Sequence, residues 1–339
     1  MNKHAKIELG HGSGGQMTRE LINEVFFNNF NNSHLFAEGD SAIVSSVPER
    51  IALTTDSYVI RPLFFPGGDI GKLAVAGTVN DLAVAGSIPM YLTAGFILEE
   101  GLDRETLVKV VKSMKAEGDR AGIEIIAGDT KVVEKGQADH LYINTAGVGF
   151  YPEKGFRSKL PGTMQVGDVI IINGSPGDHE AAIINAREGI FEETKLYSDC
   201  ASLNGVIETL LRNCSGIKFM RDITRGGLAE ILNELVQNKS TGLEINEAAI
   251  PCSDAVKAFC EMLGYDILHL ASEGKFVIIA EAGSANNILS ELKQHEYGKN
   301  SSFIGNVTKD HPGDVVLNTV IGGRRLLNSP LGSLVPRIC

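Results

Sequence analysis

Tyr91-Leu-Thr-Ala-Gly-Phe-Ile97, Leu107-Val-Lys-Val-Val-Lys-Ser-Met114 and Ile123-Glu-Ile-Ile-Ala127 follow one another within one stretch of chain. The first and last are short apolar runs with β-branched and aromatic residues, the length and make-up of strands. The middle one sets Leu107, Val110, Val111 and Met114 at the i, i+3, i+4, i+7 spacing of a helix over 103–121, with Asp103 placed to cap its start. A strand, an amphipathic helix and a second strand in that order predict an α+β domain.

Working outward, Ile51–Thr55 and Leu141–Phe150 also read as strands, and residues 69–86 as a helix. Two prolines and three glycines from Tyr151 to Gly167 break every period. The alternation then resumes, with strands at Asp168–Asn173, Ile217–Met220, Gly242–Asn246, Lys275–Glu281 and Ser302–Val307. Helices are expected at 178–188, 200–212, 225–238, 253–263 and 284–295. The expected division is a Gly-rich segment and helix at 1–34, an α/β domain at 35–150 and a linker at 151–167. A second domain follows at 168–327, and a mobile tail with little to bury at 328–339. At 339 residues the chain is long enough for two such domains, each with about four strands.

Composition narrows the function. With 31 basic against 42 acidic residues the formal charge is −11, and no Lys/Arg cluster interrupts it, which argues against nucleic acid and anionic membranes. An acidic protein that handles a polyanion needs a metal ion between the two. The polar N-terminus lacks an apolar h-region, and the longest apolar runs suit buried strands rather than a bilayer span. Cysteines at 200, 214, 252, 260 and 339 are odd in number with no CxxC pair, poor material for a disulfide frame or zinc site, so a reducing cytoplasm is expected.

Candidate chemistry lies at the turns. His11-Gly12-Ser13-Gly14-Gly15 precedes a helix, where free N–H groups can hold an anion; the plain alternative is a flexible turn. Pro66-Gly67-Gly68-Asp69-Ile70-Gly71-Lys72 opens another helix, with Lys72 able to meet a phosphate or simply to sit in water. Asp40, Asp56, Asp81, Asp129 and Asp222 end strands, sit beside glycines or lie in a helix. Singly each suits an Asx turn; together they suit Mg²⁺. Lys72 and Asp81 are nine residues apart, on roughly opposite helix faces, so one pocket cannot take both unless the helix breaks or sits between two sites. Lys131 follows Asp129, and Glu273 precedes an apolar strand where partial desolvation suits a base; surface ions at turns are the alternative. Cys339 ends the chain in Pro336-Arg-Ile-Cys339, its thiol subject to its own carboxylate and to Arg337.

Taken together, the chain resembles the HypE family, the carbamoyl dehydratases of nickel–iron hydrogenase maturation, within the superfamily of aminoimidazole ribonucleotide synthetase. The resemblance rests on His11–Gly15, Thr55-Asp-Ser-Tyr58, Phe64–Gly68, Gly71-Lys72, Asn80-Asp81, Gly95–Gly101, Gly128–Val133, Asn144-Thr-Ala146, Asp222–Gly227, Glu273–Lys275 and the closing Pro-Arg-Ile-Cys, and it covers nearly the whole chain. Gly177-Asp-His-Glu180 departs from an expected Gly-Asp-His-Gly. The resemblance implies a PurM-like fold of two α/β domains with mixed sheets. It also implies a homodimer whose N-terminal domains share a barrel, and a mobile C-terminal tail. It implies that Cys339 accepts a carbamoyl group from a HypF-type carbamoyltransferase, that ATP drives its dehydration to a thiocyanate, and that cyanide passes to iron on a HypC–HypD complex. Mg²⁺ on Asp40, Asp56, Asp81 and Asp222 fits that chemistry. Gly12, Gly14, Gly15, Lys72 and Asp129 fit nucleotide binding, with Lys131 and Glu273 as catalytic groups. Within the superfamily, selenophosphate synthetase and thiamine-phosphate kinase are the nearest alternatives. The former carries Cys or selenocysteine near its Gly-rich stretch, and the first 199 residues here contain no Cys. A nucleotide-gated binding protein with a docking tail is the alternative outside catalysis.

Overall fold

The computed structural model describes residues 6–13, 15–36, 50–151, 163–191, 196–330, 335 and 337–339. Asp40, Gly14 and most of the 151–167 linker lie outside the described residues.

The first half holds a four-stranded mixed sheet of β1 (Ile51–Tyr58), β2 (Ile88–Glu99), β3 (Glu124–Val133) and β4 (Leu141–Phe150), in the order β1-β4-β2-β3. β4 runs antiparallel to both β1 and β2, whereas β2 and β3 are parallel. A parallel pair needs a crossover, and α2 (Arg104–Ala121) supplies it. α2 buries Leu107, Val110, Val111 and Met114, the four residues whose spacing predicts it. Asp103 makes no side-chain cap; it pairs with Lys6 at 2.6 Å instead.

α1 (Ile70–Val84) begins at a cap the sequence reading passed over. The Asp69 carboxylate accepts from the backbone N–H of Gly71 at 2.7 Å and of Lys72 at 3.3 Å. Every residue of α1 except Lys72 and Asp81 is buried, so it is a core helix and not a surface one.

The second half is built on a seven-stranded mixed sheet: β5 (Val169–Ile172), β6 (Ile217–Asp222), β7 (Gly242–Asn246), β8 (Phe276–Ala280), β9 (Ser302–Thr308), β10 (Val315–Asn318) and β11 (Arg324–Leu326). Their order is β11-β10-β7-β9-β5-β8-β6, with only β10 and β7 parallel. This half therefore exceeds the expected four strands. β10 and β11 escape a periodicity search because they are four and three residues long, and β11 is exposed throughout. β5 and β8 are buried along their whole length, which requires cover on both faces. One core joins Ile170, Ile172, Val277 and Ile279 to Leu228, Leu232 and Leu235 of α5 (Gly227–Val236). The other joins Ile171 and Ile278 to α4 (Asn204–Asn213) and α7 (Ala285–Gln294). The remaining helices are α3 (Asp178–Glu188) and α6 (Asp254–Leu263).

Polar contacts clamp the halves together around α1. Asn80 donates to the Ala201 carbonyl at 3.0 Å and accepts from the Leu203 N–H at 2.7 Å. Gly67 lies so close to the Ser198 backbone that a Cβ would stand 2.5 Å from its carbonyl oxygen. No helix among the described residues is long and apolar enough to cross a membrane.

Candidate active site

Asn80 and Asp81 divide two tasks by helical geometry. One residue further along a helix is a rotation of about 100°, so while Asn80 locks the halves together, Asp81 emerges into the cleft between them. Its carboxylate accepts from the Thr54 hydroxyl at 2.8 Å. Thr54 and Asp56 share the β1 face directed at α1, two residues apart. Asp222 arrives from the other half at the end of β6.

Glu273 is fixed through its backbone. Its N–H donates to Asp199 at 2.9 Å, and its carbonyl accepts from Ala201 N–H at 3.3 Å. The next two residues serve the same bracket. A Cβ on Gly274 would fall 2.0 Å from the Asp199 carbonyl oxygen, and Lys275 pairs with the Asp199 carboxylate at 2.8 Å.

Asp56, Asp81, Asp222, Glu273 and Cys339 line one cavity of about 440 Å³, with Arg225 on its wall. A second cavity of about 600 Å³, lined also by Val335, Arg337 and Ile338 of the tail, shares Arg221, Thr224, Arg225 and Cys339 with it. The tail has more to bury than its sequence indicates. Ile338 is buried against the N-terminal core, with Val335 and Cys339 packed beside it. Val59 N–H donates to a Cys339 carboxylate oxygen at 3.1 Å and Arg61 N–H to the Arg337 carbonyl at 3.3 Å, so the tail lies beside the segment that follows β1. Arg337 turns its guanidinium to Asp139 at 2.5 Å and over the Tyr142 ring.

Crowded carboxylates shift one another. Burial, and then the charge of Asp81, push Asp222 up to about 7. Burial raises Asp81 too, and burial followed by Asp222 raises Glu273 well above the carboxylate range. Burial and Glu273 push the Cys339 thiol up to about 12; the cation that opposes this is Arg225, not Arg337. A docked thiol is therefore protonated near neutrality.

The remaining predicted residues fall elsewhere. Gly12, Asp129 and Lys131 line a cavity of about 230 Å³ whose interior is apolar, with Phe26, Phe30 and Phe96 among its lining residues. Gly12 is pressed onto β3, where a Cβ would stand 2.5 Å from the Val132 nitrogen. Lys131 and Asp129 pair at 2.9 Å, both largely exposed. Gly15 opens the first helical segment, Gly15–Leu21, next to this group. Lys72 belongs to neither cavity: its ammonium donates to the Gly67 carbonyl at 3.0 Å, the outcome that the opposite-face spacing of Lys72 and Asp81 anticipates. Sequence reasoning missed Arg225, Asp199 and His179. Arg225 and His179 stand within the motifs Asp222–Gly227 and Gly177–Glu180, but the roles of all three depend on partners far away in the chain.

The two halves match known domains: AIR synthase related protein, N-terminal domain, at 38–151, and AIR synthase related protein, C-terminal domain, at 165–318. Two such domains clamped around an acidic cleft define a protein of the AIR-synthase-related class. Within it, carbamoyl dehydratase HypE of Escherichia coli (strain K12) is 46% identical over 338 residues, spanning 98% of this chain and 99% of its own. A solved HypE in complex with ATP superposes with a TM-score of 0.92 at 40% identity, covering 98% of this chain and 99% of that one. HypE in a HypE–HypF complex superposes at 0.79 with 46% identity, covering 91% and 99%. The chain belongs to the HypE carbamoyl dehydratase family.

Proposed function

We propose that the protein dehydrates a carbamoyl group carried on Cys339 to a thiocyanate at the expense of ATP, supplying cyanide for the iron of a nickel–iron hydrogenase. The observation that carries this reading is the docked C-terminus, which delivers a terminal thiol to a cavity of three aspartates and Glu273. The carbamoyl oxygen attacks the γ-phosphorus of ATP and ADP leaves. The nitrogen then gives up its two protons in turn as the C–O bond to phosphate breaks, which leaves S–C≡N, ADP and phosphate. Each chain residue has a place in this scheme. Glu273, whose burial raises its affinity for a proton, is the group suited, in its ionised form, to take a nitrogen proton. Packed tail contacts on Ile338 exclude the water that would hydrolyse a phosphorylated carbamoyl. Because the docked thiol holds its proton, carbamoylation belongs to the undocked tail and dehydration to the docked one.

Mg²⁺ fits Asp56, Asp81 and Asp222, three hard oxygen donors on one cavity; Asp81 and Asp222, whose affinity for protons is raised by burial, gain from a divalent cation. It would neutralise phosphate charge in an acidic protein. Among the described residues, however, no three His, Cys, Asp or Glu side chains stand ready around one point. ATP oxygens and water would have to complete the shell, and Asp40 lies outside the described residues. Gly12, Asp129 and Lys131 form a second polar mouth, suited to the far end of the nucleotide, with Lys131 as a phosphate ligand.

Further proposals complete the reading. The division into 1–34, 35–150, 151–167, 168–327 and a tail at 328–339 is kept. Ile51 and Leu53 are exposed on the sheet face turned away from α1, which suits a homodimer joined through N-terminal sheets. A HypF-type transferase, a HypC–HypD complex and a cytoplasmic setting complete the scheme.

Intact-mass and tail-peptide spectra test the proposal. With the partner transferase, carbamoyl phosphate and ATP, Cys339 should gain one carbamoyl and then lose one water; an unmodified tail would refute it. Asp81→Asn should stop the water loss and leave carbamoylation intact. Equal failure of both steps would make the aspartates structural.

A further inference from the structure

We infer that His179 is a positioning residue for this reaction: its imidazole holds the Ile338 carbonyl and thereby seats the Cys339 thiol in the acidic cavity. The carbonyls of the last three residues do not all point the same way. Those of Arg337 and Cys339 turn toward the Val59–Arg61 segment, whose N–H groups take them. The carbonyl of Ile338 turns the other way, where His179 Nε2 stands 2.7 Å from it. The tail backbone is thus held from more than one side: by the Val59–Arg61 N–H groups, by Arg187, which donates to the Arg337 carbonyl at 2.9 Å, and by His179, the donor to the Ile338 carbonyl.

The direction of each hydrogen bond is fixed by chemistry. A carbonyl only accepts, so Nε2 carries the proton and donates. Nδ1, 2.7 Å from the Ser198 hydroxyl, must then accept from it in the neutral ring. Ser198 Oγ in turn accepts from Cys200 N–H at 3.1 Å. This relay, from Cys200 through Ser198 to His179, leaves one tautomer. Burial of the ring holds its basicity below the usual histidine value, in keeping with a neutral imidazole, and the Phe65 ring meets it edge-on at 5.6 Å.

The same grip is reversible. Arg337 occupies the left-handed region at φ 60°, a conformation that an L side chain seldom adopts. The docked tail is held against that local penalty by a handful of contacts, so losing one donor to a buried carbonyl shifts the balance toward release. None of these groups touches the reacting carbamoyl; His179 acts through the backbone next to Cys339. The inference rests on the proposed acceptor role of Cys339, but docking can be measured without any carbamoyl present.

The test is alkylation of the full-length protein with iodoacetamide, read peptide by peptide. In His179→Ala the Cys339 thiol should react at least about tenfold faster than in the parent, since release restores both access and an ordinary thiol pKa. Cys200 and Cys260, which are buried, should stay as slow as before and so report an intact fold. His179→Gln, which returns an N–H donor near the same position, should recover much of the protection, and Ser198→Ala should lose part of it. In turnover, His179→Ala should lower the kcat of dehydration while the KM for ATP stays put. An unchanged Cys339 rate in His179→Ala would overturn the inference. So would Cys200 and Cys260 rising in step with Cys339, or His179→Gln behaving like His179→Ala. A parent protein that is never carbamoylated would instead refute the proposed function and leave the docking result standing.

Discussion

The cavity around Cys339 and the cavity around Lys131 are both ringed by residues that the sequence marks for phosphate chemistry, yet they are physically opposite. The first is assembled from both domains and concentrates buried carboxylates. The second belongs to the N-terminal half alone, has an apolar interior, and keeps its charges in water as the exposed Asp129–Lys131 pair. Charges in the first are costly when unpaired and therefore strongly perturbed; charges in the second are cheap. Chemistry is expected where the perturbation is, and binding where it is not.

The sharpest way to break that contrast is Glu273→Gln. The substitution keeps the shape and the backbone bonds to Asp199 and Ala201 while removing the proton acceptor. Loss of a positioned general base costs about 10²–10⁴-fold in rate. Single-turnover decay of carbamoylated Cys339, followed by mass spectrometry, should slow by that factor with ATP affinity unchanged. A loss below about tenfold would move the base elsewhere.

Much of this arrangement was legible in the sequence, and the reasons are local. Residues 178–188 and Gly242–Asn246 match their expected spans, the helix being bounded by Gly177 and Gly189, both in the left-handed region. The separation of Lys72 from Asp81 follows from counting turns of one helix. What could not be read is what depends on pairing across the chain: Asn80 with Ala201, Glu273 with Asp199, Ile338 with His179. The same reason explains why Lys131 parted from the Cys339 group, since the fold sets β1 and β3 at opposite edges of one sheet.

Asp222 offers a smaller, thermodynamic test of the acidic side. Its affinity for protons is raised by burial and by Asp81, so the folded state holds a proton up to about pH 7 that the unfolded chain releases near its ordinary value. The sign follows directly: below the ordinary carboxylate range there is no penalty, between there and about 7 stability falls as pH rises, and above that it levels off. Asp222→Asn removes the penalty. Thermal unfolding without Mg²⁺ should show the variant more stable by about 1–2 kcal/mol at pH 8 and equal to the parent near pH 4. Added Mg²⁺ should stabilise the parent more than the variant. A variant destabilised at pH 8 would mean that the carboxylate makes favourable contacts rather than merely being crowded.

The smallest effect is expected on the open side, and it sharpens the contrast most. Lys131 and Asp129 meet at 2.9 Å but are 63% and 68% exposed, so solvent screens their attraction. A double-mutant cycle with alanine at both positions should give a coupling below about 0.5 kcal/mol in urea unfolding, fading further in 0.5 M salt. The same Lys131→Ala variant should nevertheless raise the KM for ATP several-fold, because a weakly held ammonium is free to turn to phosphate. The two measurements therefore have to disagree in size: negligible for stability, visible for nucleotide. If the KM is also unmoved, Lys131 is a surface ion and the nucleotide's charge must be met entirely from the acidic cavity. If stability falls by more than about 1 kcal/mol, the pair is structural and the two cavities are not opposites after all.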